Sequence, residues 1–162
     1  MKRLLISLLI LAGCAQPKPT EFDGIKHSAV HLLRAQHPQE LTDWQKLQMA
    51  IIFTESKGNP NAVGSSNDLG VYQMLDCYVR EANRVSGSNY SHEDAVDIDN
   101  AIDIFNRLQG HYNAEKDIEE AIFRHNKSES YRATVLRNLE IVERMEVCRA
   151  KLIQYEEALR NP

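Results

Sequence analysis

Residues 49–74 constrain the fold of this chain more than any other part of its sequence. This stretch starts as an apolar run that ends in a single acid, Glu55, and continues through a loop rich in Gly, Asn, Pro and Ser. It turns apolar again at Leu69. The apolar residues leading to Glu55 recur at helical spacing, and they are Trp44, Leu47, Ile51 and Ile52. A helix, a polar loop and a second apolar segment are therefore predicted in that order.

The helix that carries Glu55 has start and stop signals in the sequence. Thr42 followed by Gln45 has the pattern of a capping box, and Gly58 with Pro60 predicts the helix end. Glu55 then lies in the last turn, where the helix dipole and apolar neighbours both disfavour a charged carboxylate. We therefore expect an acid that can deliver a proton, as cleavage of a glycosidic bond requires. The alternative is an ordinary solvated glutamate at a helix end.

Three motifs, in order along the chain, together resemble the lytic transglycosylase (SLT) domain of the lysozyme-like superfamily. They are Glu55-Ser56 with Gly58-Asn59-Pro60-Asn61-Ala62-Val63, then Gly70-Val71-Tyr72-Gln73-Met74, then His125-Asn126. The last of these stands where the family has a Tyr-Asn pair. The resemblance covers roughly residues 41–142. It implies a mainly α fold, a single lysozyme-like helical domain, which the sequence extends with a long C-terminal helix.

The resemblance also implies roles for particular residues. Glu55 would act as general acid and base, and Ser56, Gln73 and Asn126 would orient the acid and the sugar. Tyr72, where the family commonly has Met, would line the groove and stack on sugar rings. His125 would keep a ring and a donor beside the acid, and its titration would make activity depend on pH near neutrality. No metal and no cofactor is implied.

The function implied is that of a peptidoglycan lytic transglycosylase, which cleaves the β-1,4 bond between MurNAc and GlcNAc and forms 1,6-anhydro-MurNAc. One alternative stays open within the same superfamily: a hydrolytic muramidase, with Asp68 or Asp76 as the second carboxylate that positions a water. Another is a catalytically inactive, lipid-anchored protein that binds the wall or serves in assembly.

The N-terminus predicts export and lipidation. Met1-Lys2-Arg3 is a basic start, an apolar run too short to span a membrane follows, and Leu11-Ala12-Gly13-Cys14 resembles a bacterial lipobox. We expect a signal peptide at 1–13, a lipidated tether at 14–21 beginning with Cys14, and the domain at 22–162 with a helical extension from about residue 143. Ala15 favours the outer membrane, facing the periplasm. The alternative is a plain secretory signal with a chance cysteine.

Composition and net charge limit the kinds of partner that the sequence predicts. The 162 residues, 43% hydrophobic and 26% charged, suit one globular domain. The net charge of −4 becomes −6 once the two cations Lys2 and Arg3 are removed, and no basic cluster argues for nucleic acid. The expected partners are peptidoglycan glycan strands and the membrane that holds the lipid anchor. The sequence identifies no protein partner.

Cysteines and histidines leave two further questions. Cys77 and Cys148 are either a disulfide or two buried thiols. A disulfide between them would close a loop of about 70 residues and stabilise the fold by roughly 4 kcal/mol. His27 and His31 share a helix face, but with no third ligand nearby we expect a solvated face there rather than a zinc site.

Periodicity predicts the remaining helices. Their expected ranges are 22–37, 42–57, 69–85, 91–111 with Ser91 as N-cap, 117–125 and 131–159. In the fourth of these the residues expected to be core are Val96, Ile98, Ala101, Ile102, Phe105 and Leu108.

Overall fold

The computed structural model describes residues 41–160, without the side chains of residues 149, 152, 153 and 155–160. Several predictions therefore lie outside the described residues. These are the signal peptide at 1–13, the tether with Cys14, the helix at 22–37 and the solvated face of His27 and His31. They stay predictions.

The described part of the chain is built from five α-helices and one short 3₁₀ helix. These are α1 (Asp43–Ser56), α2 (Asp76–Ser86), the 3₁₀ helix Glu93–Val96, α3 (Ile98–Tyr112), α4 (Ile118–His125) and α5 (Glu129–Arg160). Within residues 41–160 the only β pairing is a pair of isolated bridges in the loop between α1 and α2. The mainly α fold is thus confirmed. No helix in this range has the length and apolar character needed to cross a bilayer.

The first helix, α1, is the centre of the core. Its capping box is present: the Thr42 hydroxyl accepts from the Gln45 backbone N–H at 3.3 Å, and the Gln45 side chain accepts from the Thr42 N–H at 2.9 Å. Trp44 is only partly buried, but burial extends around nearly the whole helix, over Leu47, Gln48, Met49, Ala50, Ile51 and Ile52. The helix that carries Glu55 is therefore enclosed by its neighbours over most of its circumference.

The long helix α5 packs along α1 in the opposite direction. The Asn138 side chain donates to the Thr54 hydroxyl at 2.8 Å near the C-terminal end of α1, and the charges of Glu143 and Glu146 act on Lys46 near its N-terminal end. Three apolar residues spaced four and three positions apart on α5 are buried and form its apolar stripe, namely Val135, Leu139 and Val142. This packing fixes the end of α1 that carries Glu55.

The segment after the polar loop differs from the prediction. Residues 69–75 are not helical, because Leu69 and Met74 pair with each other through two backbone hydrogen bonds of 2.9 Å and enclose a tight turn. Gly70 has φ +74°, and a Cβ built there would lie 1.9 Å from the Ala95 carbonyl oxygen. Turn chemistry therefore overrides the apolar pattern, and α2 begins only at Asp76.

The predicted helix at 91–111 is also two elements rather than one. Ser91 donates to the Asp94 carboxylate instead of capping a helix, and the 3₁₀ helix follows it. Asp97 then caps α3 by accepting the Asn100 N–H at 3.0 Å. Burial of Ile98, Ala101 and Phe105 confirms half of the predicted core set, while Val96, Ile102 and Leu108 are only partly buried.

Candidate active site

Glu55 and His125 lie side by side, although 70 residues separate them in the sequence. The His125 Nε2 atom is 3.1 Å from the Glu55 Oε1 atom, and the two side chains are 6% and 18% exposed. Glu55 comes from the last turn of α1 and His125 from the last residue of α4. A nearly buried imidazole is thus the immediate partner of the acid, while the acid itself keeps a small solvent-facing surface.

Hydrogen bonds at its N-terminus hold the short helix α4 in place. The Asp117 side chain caps it by accepting the Glu120 N–H at 2.7 Å. The Asn113 side chain donates to the Asp117 carbonyl at 2.7 Å and accepts from the Asp117 N–H at 2.9 Å. Ala121 is fully buried, and His125 lies one turn further along the same face. The imidazole is therefore directed inward, toward Glu55.

Four aromatic rings surround the imidazole of His125. The ring centroids lie 5.8 Å away for Tyr78, 6.0 Å for Phe105, 6.0 Å for Tyr131 and 6.4 Å for Tyr72. Such close packing restricts rotation of the imidazole and holds its Nε2 atom toward Glu55. The Nδ1 atom on the other side of the ring is buried and has no hydrogen-bond partner in the structure.

Tyr72 does not line the substrate groove, which corrects the prediction. Its side chain is completely buried and stacks on Phe105, with ring centroids 4.7 Å apart and planes 9° from parallel. Burial raises the pKa of the Tyr72 hydroxyl well above its usual value. The ring is therefore part of the core and cannot stack on a sugar.

Ser56 and Gln73 contact the loop rather than the space in front of Glu55. The Ser56 hydroxyl lies 2.9 Å from the Val71 carbonyl and accepts the Gly58 N–H at 3.2 Å. The Gln73 side-chain amide donates to the carbonyls of Ala62 and Gly70 at 3.1 and 2.9 Å. We predicted that these two side chains orient the acid and the sugar. Their hydrogen bonds instead hold the loop beside α1, so their effect on the acid is indirect.

Asn126 remains at the protein surface next to His125. It ends α4, its backbone N–H donates to the Ile122 carbonyl, and its side-chain oxygen accepts the Ser128 N–H at 2.9 Å. The residue is exposed and directly follows His125, the partner of Glu55. Of the residues predicted to bind substrate, Asn126 is the one whose exposure suits that role.

Sequence reasoning did not assign three residues that build this site: Tyr78, Tyr131 and Asn138. Burial raises the pKa of Tyr131, and the charge of the Glu55 carboxylate, which its hydroxyl faces, raises it further. Asn138 is 4% exposed and joins α5 to α1 one residue away from Glu55. Both lie in phase with the apolar stripe of α5, and a polar residue on such a stripe is a signal that was present in the sequence.

The two candidates for a second carboxylate have other partners. Asp68 accepts the Ser66 N–H at 3.1 Å and stabilises the turn that contains Gly64. Asp76 lies in the first turn of α2 and forms an ion pair of 3.1 Å with Arg80. Glu55 itself lies against His125, and burial and the charge of Glu55 both raise the pKa of Tyr131.

The sequence left two alternatives for the cysteines, a disulfide or two buried thiols, and the structure contradicts both. Cys77 and Cys148 are thiols rather than a disulfide, and Cys77 is exposed while Cys148 is partly exposed, so neither is buried.

Along residues 41–160, no group of three or more His, Cys, Asp or Glu side chains is arranged to hold a metal ion. A pocket of about 670 Å³ opens at the other end of α1, beside Trp44, Gln48 and Asn106. None of the three motifs contributes to it.

Comparison with known proteins gives one result. The family model described as the transglycosylase SLT domain matches residues 34–138. No curated protein and no solved structure matches the chain. The matched range includes α1, the loop with Gln73, and α4 with His125, which are the elements that build the site. On the strength of that match, this chain belongs to the transglycosylase SLT domain family of lysozyme-like proteins.

Proposed function

We propose that the protein is a peptidoglycan lytic transglycosylase in which Glu55 is the general acid and base. It would cleave the β-1,4 bond between MurNAc and GlcNAc and release 1,6-anhydro-MurNAc ends. The observation that carries this proposal is the contact between Glu55 and His125. A partly exposed carboxyl group has one oxygen held by a nearly buried partner, which leaves the other for a substrate.

The proposed reaction uses Glu55 twice. In the first step its carboxyl proton passes to the glycosidic oxygen, the bond from that oxygen to the muramyl C1 breaks, and Glu55 becomes a carboxylate. In the second step the carboxylate takes the proton of the muramyl C6 hydroxyl, whose oxygen bonds to C1. Glu55 is then an acid again, and no water is consumed. In this proposal the side chain of Asn126, which is exposed, would contact the sugar during both steps.

A single-acid route agrees with the partners of the other carboxylates. A hydrolase of the usual kind needs a second carboxylate that activates water or attacks the sugar. Asp68 is engaged in its own turn and Asp76 with Arg80. The family has a tyrosine where His125 stands. The imidazole of His125 keeps contact with Glu55, and this contact argues against an inactive protein.

A digest of purified peptidoglycan by the full chain in detergent, analysed by mass spectrometry, tests the proposal. We expect muropeptides that end in 1,6-anhydro-MurNAc. Glu55→Gln should lower their release by roughly 100-fold or more, because general acid catalysis contributes at least that much. The variant keeps the size and hydrogen-bonding capacity of the side chain, and its melting temperature serves as the folding control.

Other outcomes point to the remaining functions. Products heavier by one water, with reducing ends, would identify a muramidase, and loss of activity in Asp68→Asn or Asp76→Asn would then identify its second carboxylate. Retained binding to the wall without any product would support an inactive wall-binding or assembly protein. Full activity in Glu55→Gln would remove Glu55 from the mechanism.

We further propose that the mature protein is a lipoprotein anchored through Cys14, at the outer membrane and facing the periplasm. The lipobox-like sequence that ends at Cys14 and the following Ala15 support this location. Such an anchor would keep the domain next to its wall substrate. Incorporation of labelled palmitate that is lost in Cys14→Ser tests the lipid, and fractionation of the two membranes tests the address.

A further inference from the structure

A cavity beside the first half of α1 takes no part in the proposed mechanism. Its volume is about 670 Å³, within the range of about 300 to 1,000 Å³ that is usual for small-molecule sites. Gln45 and Gln48 of α1 line one side of it, and Asn106 and Gly110 of α3 line another. Gln48 precedes Glu55 by seven positions, which is about 10 Å along a helix. A ligand in this cavity would therefore bind apart from the acid.

Hydrogen bonds fix the orientation of one amide in the wall of this cavity. The Asn106 side-chain oxygen accepts the indole N–H of Trp44 at 3.0 Å and the side-chain N–H of Gln48 at 2.9 Å. The indole nitrogen can only donate, so it determines which end of the Asn106 amide faces it. Gln48 is 3% exposed, whereas Asn106 is exposed. Since both bonds end on its oxygen, Asn106 can offer its amide hydrogens to a ligand.

Trp44 and Ile102 give the cavity an apolar surface. Both side chains line it and are only partly buried. The fully buried ring of Phe105 packs against the indole from the core, with centroids 5.9 Å apart, and the Lys116 ammonium lies 6.0 Å from the indole centroid. A held aromatic ring beside hydrogen-bonding groups suits a ligand with an apolar face and polar edges, such as a pyranose ring.

The charges around the cavity balance. Asp99, Asp103 and Lys116 line it, and Asp103 accepts from the Tyr90 hydroxyl and pairs with Arg107. The two cations thus offset the two carboxylates. A site for a phosphate or a carboxylate needs a surplus of cations, so this balance favours an uncharged ligand. Carboxylates also accept hydrogen bonds from hydroxyl groups, which a sugar supplies.

We propose that this cavity is a second glycan-binding site, which takes an uncharged N-acetylated amino sugar. That the sugar belongs to a wall glycan strand rests on the proposed function. The pyranose ring would stack on Trp44, the Asn106 amide would donate to an oxygen of the sugar, and Ile102 would contact the acetamido methyl group. The site would hold a strand at a distance from Glu55 and take no part in the chemistry.

The cavity can be observed directly, because Trp44 is the only tryptophan in the 162 residues of the chain. Its fluorescence and its indole N–H signal in a ¹⁵N NMR spectrum both report on this site. The full chain in detergent is titrated with tri-N-acetylchitotriose, an uncharged trimer of N-acetylglucosamine. We expect both signals to change and saturate. Cellotriose has the same linkage without acetamido groups, and its apparent Kd should be at least roughly fivefold higher.

The variant Asn106→Asp tests the assigned donor. Aspartate keeps an oxygen that can accept from Trp44 and Gln48 but has no amide hydrogens. We expect the apparent Kd for tri-N-acetylchitotriose to rise roughly 5- to 10-fold, as for the loss of one hydrogen bond. Asn89→Asp is the matched control, since it adds the same charge at an exposed position that does not line the cavity. Melting temperatures show whether both variants fold.

Digestion of peptidoglycan adds a kinetic readout. A site that holds the strand away from the reacting atoms contributes to binding alone. Asn106→Asp should therefore raise KM for polymeric peptidoglycan a few fold, with kcat changed less than about twofold. An equal fall of kcat and kcat/KM would place Asn106 in the reaction itself and overturn the inference.

The outcomes separate the inference from the proposed function. If the chain releases no product but both Trp44 signals saturate with tri-N-acetylchitotriose, the proposed function fails and the sugar site stands. If neither signal responds to this sugar, or both respond equally to cellotriose, the inference fails whether or not the chain is active. An equal loss of affinity in Asn89→Asp would also overturn it, since the effect would then belong to the added charge.

Discussion

At the scale of single residues, one carboxyl group is held by side chains from distant parts of the chain. Glu55 lies in the last turn of α1, the Nε2 atom of His125, from α4, lies 3.1 Å from one of its oxygens, and burial and the charge of Glu55 both raise the pKa of Tyr131, from α5. The resemblance to the family places a tyrosine where His125 stands. The imidazole keeps a planar ring, as a tyrosine would, and brings a nitrogen rather than a hydroxyl to the acid.

Substitutions of His125 separate these two properties. His125→Tyr keeps a ring and a hydrogen-bonding group, so we expect activity within about tenfold of the unmodified chain. His125→Phe keeps the ring but removes the partner of Glu55, and should lower the rate of wall cleavage roughly 10- to 100-fold. Rates of anhydro-muropeptide release provide the measurement.

Melting temperatures control for packing in this pair, because both new rings are similar in size. Equal activity of His125→Phe and the unmodified chain would mean that the 3.1 Å contact contributes nothing to the reaction. A loss of activity in His125→Tyr as large as that in His125→Phe would mean that a phenol cannot replace the imidazole beside Glu55.

Local signals explain which residues the sequence revealed. Glu55 and the capping box of Thr42 follow from neighbours a few positions away, and His125 follows from a motif. Tyr72 was misplaced because an apolar ring suits a core and a groove equally well in a sequence. Tyr131 and Asn138 lie in phase with the apolar stripe of α5, which marks them in the sequence, but their partners follow only from the packing of α5 on α1, a contact between segments far apart in the chain.

At the scale of elements, the loop between α1 and α2 behaves as a rigid part of the site. Ser56 joins the end of α1 to Val71, Gln73 ties the carbonyls of Ala62 and Gly70 together, and Leu69 pairs with Met74. These hydrogen bonds draw the loop against the C-terminal end of α1. Side chains that were expected to bind sugar thus contribute by holding the backbone on which the acid depends.

Gly70 is the position where this loop tolerates substitution least. Gly70→Ala should destabilise the fold by about 3 kcal/mol or more, because alanine is strained at positive φ and its Cβ would also meet the Ala95 backbone. Urea denaturation followed by circular dichroism measures the free energy of unfolding. We also expect a lower rate of wall cleavage at a temperature where the variant is still folded.

Two other glycines provide matched controls for the two effects. Gly87 also has positive φ, +71°, but a Cβ there meets nothing, so Gly87→Ala should cost only the backbone strain of about 1 kcal/mol. Gly110 lies within α3 with open space around it, and Gly110→Ala should stabilise by about 0.5 to 1 kcal/mol. Equal losses at Gly70 and Gly87 would refute the close approach to Ala95.

Element ends were predicted well only where the capping is local. The starts of α1 and α4 were placed within a residue by Thr42 and Asp117. The predicted helix at 69–85 failed at its start because Leu69 and Met74 pair with each other, and the helix at 91–111 failed because Ser91 engages Asp94. In both cases a short-range hydrogen bond competed successfully with an apolar pattern.

At the scale of the whole molecule, the described chain is held together by packing rather than by a covalent crosslink. The two thiols Cys77 and Cys148 lie on α2 and α5, and neither is buried. A disulfide across this distance in sequence would have contributed roughly 4 kcal/mol. The core around α1 and α5 therefore has to supply the stability without that contribution.

The double variant Cys77→Ser, Cys148→Ser tests this statement. We expect its free energy of unfolding to stay within about 1 kcal/mol of the unmodified chain, the usual range for changes at positions that are not buried. The same chain under oxidising and reducing conditions should melt at one temperature. A loss near 4 kcal/mol in the variant, or a higher melting temperature under oxidation, would show that the thiols do meet.

The enclosure of α1 also determines how this protein stops working when it is heated. The backbone amides in the middle of α1 can open to solvent only when α5 and the loop leave it, so they should exchange with deuterium as slowly as global unfolding allows. Glu55 is carried by that same helix. We therefore expect heating to abolish wall cleavage and the helical circular dichroism signal at the same temperature, without a populated state that is folded but inactive.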